Sequence, residues 1–321
     1  MRNIILDSPK QLKTGLSLAK NIKLEGKFDK IIICGMGGSA LPANILITYF
    51  LNNLKMPVFS HRTYNLPAQA DKNSLIVAIS YSGNTEETVS AYKQAIEKGY
   101  KVVAIATGGK LKELAEKNNQ PIALIPNNAE QPRFSLGYQT AALLKILSNS
   151  GVIEDKTNEI LEISNNLNPT DHEEQGKDIA KKLVDKIPVI YASSRLRILA
   201  RIWKIKFNET SKIMSFWNYF PELNHNEMVG LTNLKGNFHF LTIQDENDHK
   251  GVQKRMKLFF NLAKEKGTDV DIIQIKGKNT LDKMWNCLVL ADWVTYYLAL
   301  EYGQDPTPVK IVEEFKKKLK E

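Results

Sequence analysis

The chain has 321 residues, enough for two domains of ordinary size or one large one. Its 43% hydrophobic and 25% charged residues fit a soluble globular protein, and no apolar run approaches the roughly 20 residues needed to cross a bilayer. The formal charge of +9 is spread along the chain with acids interleaved, which argues against a nucleic-acid surface and suits the attraction of small anionic substrates.

The opening "MRNIILDSPKQLKTG" has no long apolar core and no small-residue cleavage site, so no secretory signal is expected. Cys34 and Cys287 both sit in apolar stretches and read as buried thiols, which fits a reducing cytoplasm. "KIIICG" (30–35) reads as a buried strand and "ALPANILITYF" as the helix after it. "MPVFSH" is a second strand. "SLIVAIS" (74–80) is a third, followed by a helix from Thr85 to about Lys98. "KVVAIAT" (101–107) is a fourth, with a helix through "KLKELAEKN"; "PIALIP" (121–126) is a fifth, with the helical "GYQTAALLKILSNSG". Strands alternating with helices predict a parallel sheet covered on both faces.

A polar stretch from Ser148 to about Gly176, with some helical pattern in it, reads as the connection between domains. Alternation then resumes with the strand "IPVIYAS" (187–193) and a long helix "SRLRILARIWKIKFNETSK". Strands "FHFLTIQD" (238–245) and "VDIIQIKG" (270–277) flank the helix "VQKRMKLFFNLAKEKG". An apolar helix over 281–302 follows, and "PVKIVEEFKKKLK" closes the chain, its basic run reading as a solvated helix face. Two tandem α/β domains are expected, 1–150 and 151–321.

"GMGGSA" follows a strand and opens a helix, in the context of the dinucleotide template G-x-G-x-x-G/A. That template also wants an acid at the end of the second strand, where the sequence reads "FSHRTYNLP". Arg62 leaves a phosphorylated dinucleotide open. "SYSGNTEET" (80–88) gathers Ser80, Ser82 and Thr85 after the third strand. The bland reading is a helix cap, with Asn84 and Glu87 spaced like a capping box. The functional reading is a phosphate monoester held by hydroxyls and backbone N–H groups. Two such loops at the carboxyl ends of one parallel sheet can grip one compact anion. "CGMGGSA", "RTYNLP" and "AISYSGNTEET" resemble a sugar isomerase (SIS) domain. That resemblance implies a five-stranded parallel sheet between helices and a sugar-phosphate ligand, without fixing a reaction.

A projection at about 100° per residue places Arg197, Arg201, Lys204, Asn208 and Ser211 on a polar stripe of the helix after Ser194, and Glu209 within its apolar arc. A carboxylate there is either an ion pair with Lys206 or a general base. His225, in the irregular polar stretch "WNYFPELNHNEMVG", has Asn224, Asn226 and Glu227 beside it and reads as surface or as a proton shuttle. Arg133 follows the fifth strand, on the side of the phosphate loops; it reads as surface or as facing the charge that develops on a substrate. The histidines and cysteines show no metal-ligand spacing, so no metal is expected; an aldose–ketose isomerisation with an Arg to polarise the oxygens would need no redox cofactor either.

"QPRFSLG", "NETSK", "PELNHNEMVG" and "YGQDPTPVKIVEEFKKKL" resemble the bifunctional phosphoglucose/phosphomannose isomerases of archaea and some bacteria, over nearly the full length. The resemblance implies two tandem SIS domains, each a mainly five-stranded parallel sheet flanked by helices. It implies Glu209 as the base moving a proton between C1 and C2, His225 as the ring opener donated by the partner subunit of a homodimer, and Lys310 assisting ring opening or binding hydroxyls. Arg133 is implied to stabilise the enediolate, and Gly37, Gly38, Ser39, Ser80, Ser82 and Thr85 to hold the phosphate. The substrate implied is a phosphorylated hexose, with no nucleic acid or membrane as partner. A non-catalytic sugar-phosphate sensor on the same domains, and an oxidoreductase using a phosphorylated dinucleotide, remain as competing functions.

Overall fold

The computed structural model describes residues 1–129 and 131–319. Two compact units emerge, Asp7–Leu167 and a second formed by Met1–Leu6 with Asn168–Glu321. Helix α1 (Arg2–Leu18) opens the chain. The N-terminal unit then runs β1 (Lys30–Cys34), a 3-10 turn over Gly37–Ala40, α2 (Leu41–Tyr49), β2 (Val58–His61), β3 (Ser74–Ser80), α3 (Glu86–Glu97), β4 (Lys101–Ala106), α4 (Gly109–Lys117) and β5 (Ile122–Leu124). A 3-10 turn over Pro132–Ser135, α5 (Leu136–Asn149) and α6 (Thr157–Asn166) complete it.

Its five strands are all parallel, in the order β2-β1-β3-β4-β5. Ile31–Cys34 and the whole of Ser74–Ser80 are buried, because helices cover both faces of the sheet and leave no solvent side for polar alternation. Each fully buried Ile, Val or Leu here stabilises the fold by about 1.5–3 kcal/mol. The chain steps from β1 out to β2 and returns on the other side as β3. That reversal opens a crevice at the carboxyl ends of β1 and β3, the usual ligand position in open α/β sheets.

The C-terminal unit runs α7 (Glu173–Lys182), β6 (Ile187–Ser193), α8 (Arg197–Lys206), β7 (Phe216–Phe220), β8 (Phe238–Gln244), α9 (Lys250–Glu265), β9 (Asp269–Gln274), α10 (Thr280–Glu301) and α11 (Lys310–Lys318). Its four strands are parallel, in the order β7-β6-β8-β9. Tyr191, Phe220, Phe240 and Phe259 pack edge-to-face and stacked on one side of the sheet. Gly176 lets α7 approach α10 closely, since a Cβ there would lie 2.4 Å from Trp293 Cβ.

The parallel α/β architecture agrees with the sequence expectation, with three differences. The C-terminal sheet has four strands, where the resemblance implies about five. One of the four, β7, lies in a stretch expected to be irregular; it is an edge strand, so "FWNYF" stays half-buried and polar enough to hide. The helix expected through Lys212 ends as an α-helix at Lys206 and continues as one π-helical turn over Phe207–Ser211.

The strand reversal recurs between β6 and β8, and there the crevice is filled by the chain's own charges. Buried Asp248 accepts from Ser193 Oγ at 2.7 Å and from Arg195 Nε at 3.1 Å. Buried Asp245 accepts from Arg195 Nη2 at 2.5 Å and Lys283 Nζ at 2.7 Å. Burial alone pushes the Asp245 carboxyl up, but hydrogen bonds from Lys283, Arg195 and the Asn247 N–H outweigh it and hold the group below 3.8. A carboxyl depressed in the folded state stabilises above its unfolded value, and that stability is lost as pH falls through the folded value. Acid titration below 3.8 should therefore lower the urea midpoint of the C-terminal unit. Asp245→Asn, which removes the buried carboxylate shared by Arg195 and the buried Lys283, should cost about 3 kcal/mol at neutral pH and flatten the acid slope, as read by urea unfolding at several pH values.

Candidate active site

In the N-terminal unit the glycine turn and the Ser/Thr loop are joined directly. Ser39 is buried, and its Oγ accepts the Tyr81 N–H at 3.1 Å. The buried Ser80 Oγ and the half-buried Thr85 Oγ1 are 2.8 Å apart. Ser82 is exposed at the loop tip, and its Oγ accepts the Asn84 N–H at 3.2 Å. Gly37 is exposed with φ +51° and open space where a Cβ would project. Backbone, hydroxyls and open space thus meet at the strand reversal.

The capping expectation for "NTEE" gives way to a different arrangement. Thr85 is the N-cap of α3 but makes no side-chain cap bond, its hydroxyl lying against Ser80. Asn84 turns to the other side, where Oδ1 accepts the Lys110 N–H at 3.0 Å and Nδ2 donates to the Ser82 carbonyl at 3.2 Å. The Gly83 carbonyl accepts from Leu111 N, and Thr107 Oγ1 donates to the Tyr81 carbonyl. The start of α4 therefore braces the Ser/Thr loop from behind.

Arg133 sits in the 3-10 turn before α5 and is buried, so its position is not that of a surface residue. A Cβ at Gly38 would lie 3.0 Å from Arg133 N, so the absent side chain is what lets the two segments touch. The guanidinium lies 4.2 Å from the Phe134 ring centroid. Buried Gln11 of α1 fixes this turn from beneath, donating to the Phe134 carbonyl at 2.6 Å and accepting from Gly137 N at 3.2 Å. Arg62, the residue that left a dinucleotide open, donates to the Asn44 side chain.

In the C-terminal unit Glu209 is half-buried on the π-helical turn, flanked by buried Phe207, Thr210 and Ser211. The 100° projection does not extend into this wider turn. Ser211, expected on the polar stripe, is fully buried and donates to the Thr295 carbonyl at 2.8 Å. Lys206, the expected ion-pair partner of Glu209, is paired with Asp292 of α10. Asn208 donates to the Ile213 carbonyl at 2.7 Å and so ties down the exit of the turn.

His225 is exposed on the 3-10 turn that follows β7. Two of the neighbours expected to serve it are engaged elsewhere. Asn226 donates to Glu222 Oε1 at 2.9 Å, and Glu227 accepts the Tyr191 hydroxyl at 2.6 Å. Lys310 is exposed at the first turn of α11. Cys34 and Cys287 are buried thiols that burial pushes up to about 12, far from a reactive thiolate. Among the described residues no group of three or more His, Cys, Asp and Glu side chains is placed to hold a metal ion, and no helix is long and apolar enough to cross a membrane.

Two tandem parallel sheets, the first with a paired glycine turn and hydroxyl loop at its strand reversal, define a protein of the SIS class. The SIS domain family matches residues 27–148, and the family described as "Bacterial phospho-glucose isomerase C-terminal SIS domain" matches 172–319. In overall fold the chain is similar to the C-terminal domain of glucosamine-fructose-6-phosphate aminotransferase from Francisella tularensis, with TM-score 0.75 and 15% identity over 95% of this chain and 97% of that one. The bifunctional phosphoglucose/phosphomannose isomerase of Caldicellulosiruptor bescii is 39% identical, over 99% of this chain and 98% of the relative. That of Aquifex aeolicus is 35% identical over 90% of each. The chain belongs to the bifunctional phosphoglucose/phosphomannose isomerase family.

Sequence patterns did not single out Tyr81, Gln11 or the α4 brace, whose contributions are a backbone N–H, a buried amide and a carbonyl contact. Gly83 carried a visible signal, a glycine in a polar turn. Its φ is +69°, and a Cβ would lie 1.8 Å from the Gly108 carbonyl oxygen. Gly83→Ala should therefore destabilise the N-terminal unit by about 2 kcal/mol or more and weaken binding of inorganic phosphate. Thermal melts and phosphate titration of the variant beside wild type check both.

Proposed function

We propose that the protein interconverts fructose 6-phosphate with glucose 6-phosphate and with mannose 6-phosphate through a 1,2-enediolate. The observation that carries the substrate class is the Tyr81 N–H to Ser39 Oγ bond, which sets the glycine turn and the Ser/Thr loop side by side at the strand reversal. Family membership over the full length supplies the reaction.

Gly37, Gly38, Ser39, Ser80, Ser82 and Thr85 hold the phosphate, and that binding energy orients carbons remote from it. His225 opens the sugar ring, and Lys310 assists or binds hydroxyls. Glu209 takes the proton from C2 of the aldose, or from C1 of the ketose, and returns it to the neighbouring carbon. Arg133 faces the oxygens that carry negative charge in the enediolate. The glucose and mannose epimers need protonation on opposite faces of C2, so for Glu209 to serve both products the enediolate turns its other face of C2 to the carboxyl group before the proton is returned.

We also propose a homodimer in which His225 serves the partner's site, a cytoplasmic location, and a division of labour with phosphate binding within 1–150 and the base within 151–321. The exposure of His225 on a short turn supports a role at a surface shared with another molecule.

Wild-type protein given fructose 6-phosphate should form both aldose phosphates, resolved by chromatography. Glu209→Gln should lower kcat by about 10²–10⁴-fold with little change in KM. Ligand binding with no turnover in wild type would favour the sensor, and wild-type kcat in Glu209→Gln would remove it as base. Mixing Glu209→Gln with His225→Ala protomers, each inactive alone, should restore about a quarter of wild-type activity after random reassortment of dimers. No recovery places His225 in its own protomer's site.

A further inference from the structure

We propose that Lys212 is a positioning residue for the isomerase reaction, a strut that fixes the turn bearing Glu209 against the segment that leads into Lys310. The inference rests on the reading of Glu209 as the base. Its ammonium donates to two carbonyls, that of Glu209 at 2.5 Å and that of Pro308 at 2.7 Å. The first bond closes the last turn of the helix on itself. The second crosses to a residue 96 positions later in the chain, two before Lys310. One side chain thereby links the two elements of the C-terminal unit that carry chemistry.

The backbone at Lys212 is unusual in a way that points the same direction. Four non-glycine residues among those described have positive φ: Asn65, Asn119, Asp185 and Lys212. Asn and Asp tolerate this region because their short polar side chains bond locally. Lysine has no such excuse, and at φ +62° and ψ +27° it occupies the C-terminal left-handed position where glycine is the ordinary choice. A long cation kept where glycine fits better argues that the ammonium itself is needed, since strained backbone persists where surrounding interactions over-determine it.

A plain helix cap would account for the bond to Glu209, because a cation suits the carbonyl end of a helix. It does not account for the bond to Pro308, which adds nothing to the helix terminus. The rest of the turn is already secured by Ser211 on the Thr295 carbonyl and Asn208 on the Ile213 carbonyl. These hold its base to α10 and its exit to the following loop. Lys212 alone of these three reaches the segment before Lys310.

The left-handed backbone supplies a discriminating test. Lys212→Gly removes the ammonium while relieving the strain, so the variant should melt at or above the wild-type temperature. Its kcat for fructose 6-phosphate should fall about tenfold to a hundredfold with KM changed little, since loosening a base costs turnover and leaves phosphate binding alone. Lys212→Met should fall similarly, and Lys212→Arg, which can still donate to both carbonyls, should recover most of kcat. Wild-type kcat in Lys212→Gly overturns the inference, as does an equal loss in Gly, Met and Arg variants that tracks a lowered melting temperature. Glu209→Gln is run alongside. If it turns over normally, the base assignment fails and this inference falls with it; if it is inactive while Lys212→Gly is unimpaired, this inference fails alone.

Discussion

The hydrogen bond from the Tyr81 N–H to the Ser39 hydroxyl is the contact on which the N-terminal site depends. It joins the loops that leave two neighbouring parallel strands, and it is buried, so it is not exchanged for water. Everything around it serves to keep those loops at that spacing. Gly83 presses against the Gly108 carbonyl, Asn84 receives the Lys110 N–H, and Gly38 admits the Arg133 backbone. A parallel sheet creates the crevice by topology alone. The bond and its braces turn the crevice into a place with fixed hydroxyls and backbone groups.

The C-terminal unit solves a different problem. Glu209 is held firmly yet left partly accessible, since the helix that carries it ends in a wider turn with three buried residues around the half-buried Glu209. Single π-helical turns often mark functional positions, because the looser ladder lets one side chain leave the regular helix face. The cost of the irregularity is offset nearby by the Lys206–Asp292 pair and the buried Ser211 hydroxyl.

What the sequence made legible follows from how each feature is encoded. Continuous apolar runs such as "KIIIC" and "SLIVAIS" can hardly be anything but strands buried on both faces, so the first sheet and its crevice were visible. The residues of the glycine turn and Ser/Thr loop were visible for the same reason, being short patterns at strand ends. β7 was not, because an edge strand needs to bury only part of its surface, and "FWNYF" mixes rings with amide. α1 carries Pro9 in its interior and a polar composition that hides its amphipathic face. The close approach of the Arg133 backbone depends on Gly38, and its turn is fixed by Gln11 through Phe134 and Gly137; Gly38 and Gln11 both lie far from it in the chain. The departure from 3.6-residue periodicity at Phe207 has no local signal, so an angular projection misplaced Ser211 and reached Glu209 by a helix geometry that ends before it.

The charge cluster at the second strand reversal carries a broader lesson about copied folds. Wherever this topology is used it leaves a cleft that attracts anions, and a chain containing it twice has two clefts. Here one stays open, while the other holds carboxylates of its own, Asp245 and Asp248, already matched by Arg195 and Lys283. An incoming phosphate at that place would have to displace a buried, neutralised pair. The second copy of the topology thus carries its own anions where the first leaves open space at Gly37, and the π-helical turn of Glu209 belongs to that second copy.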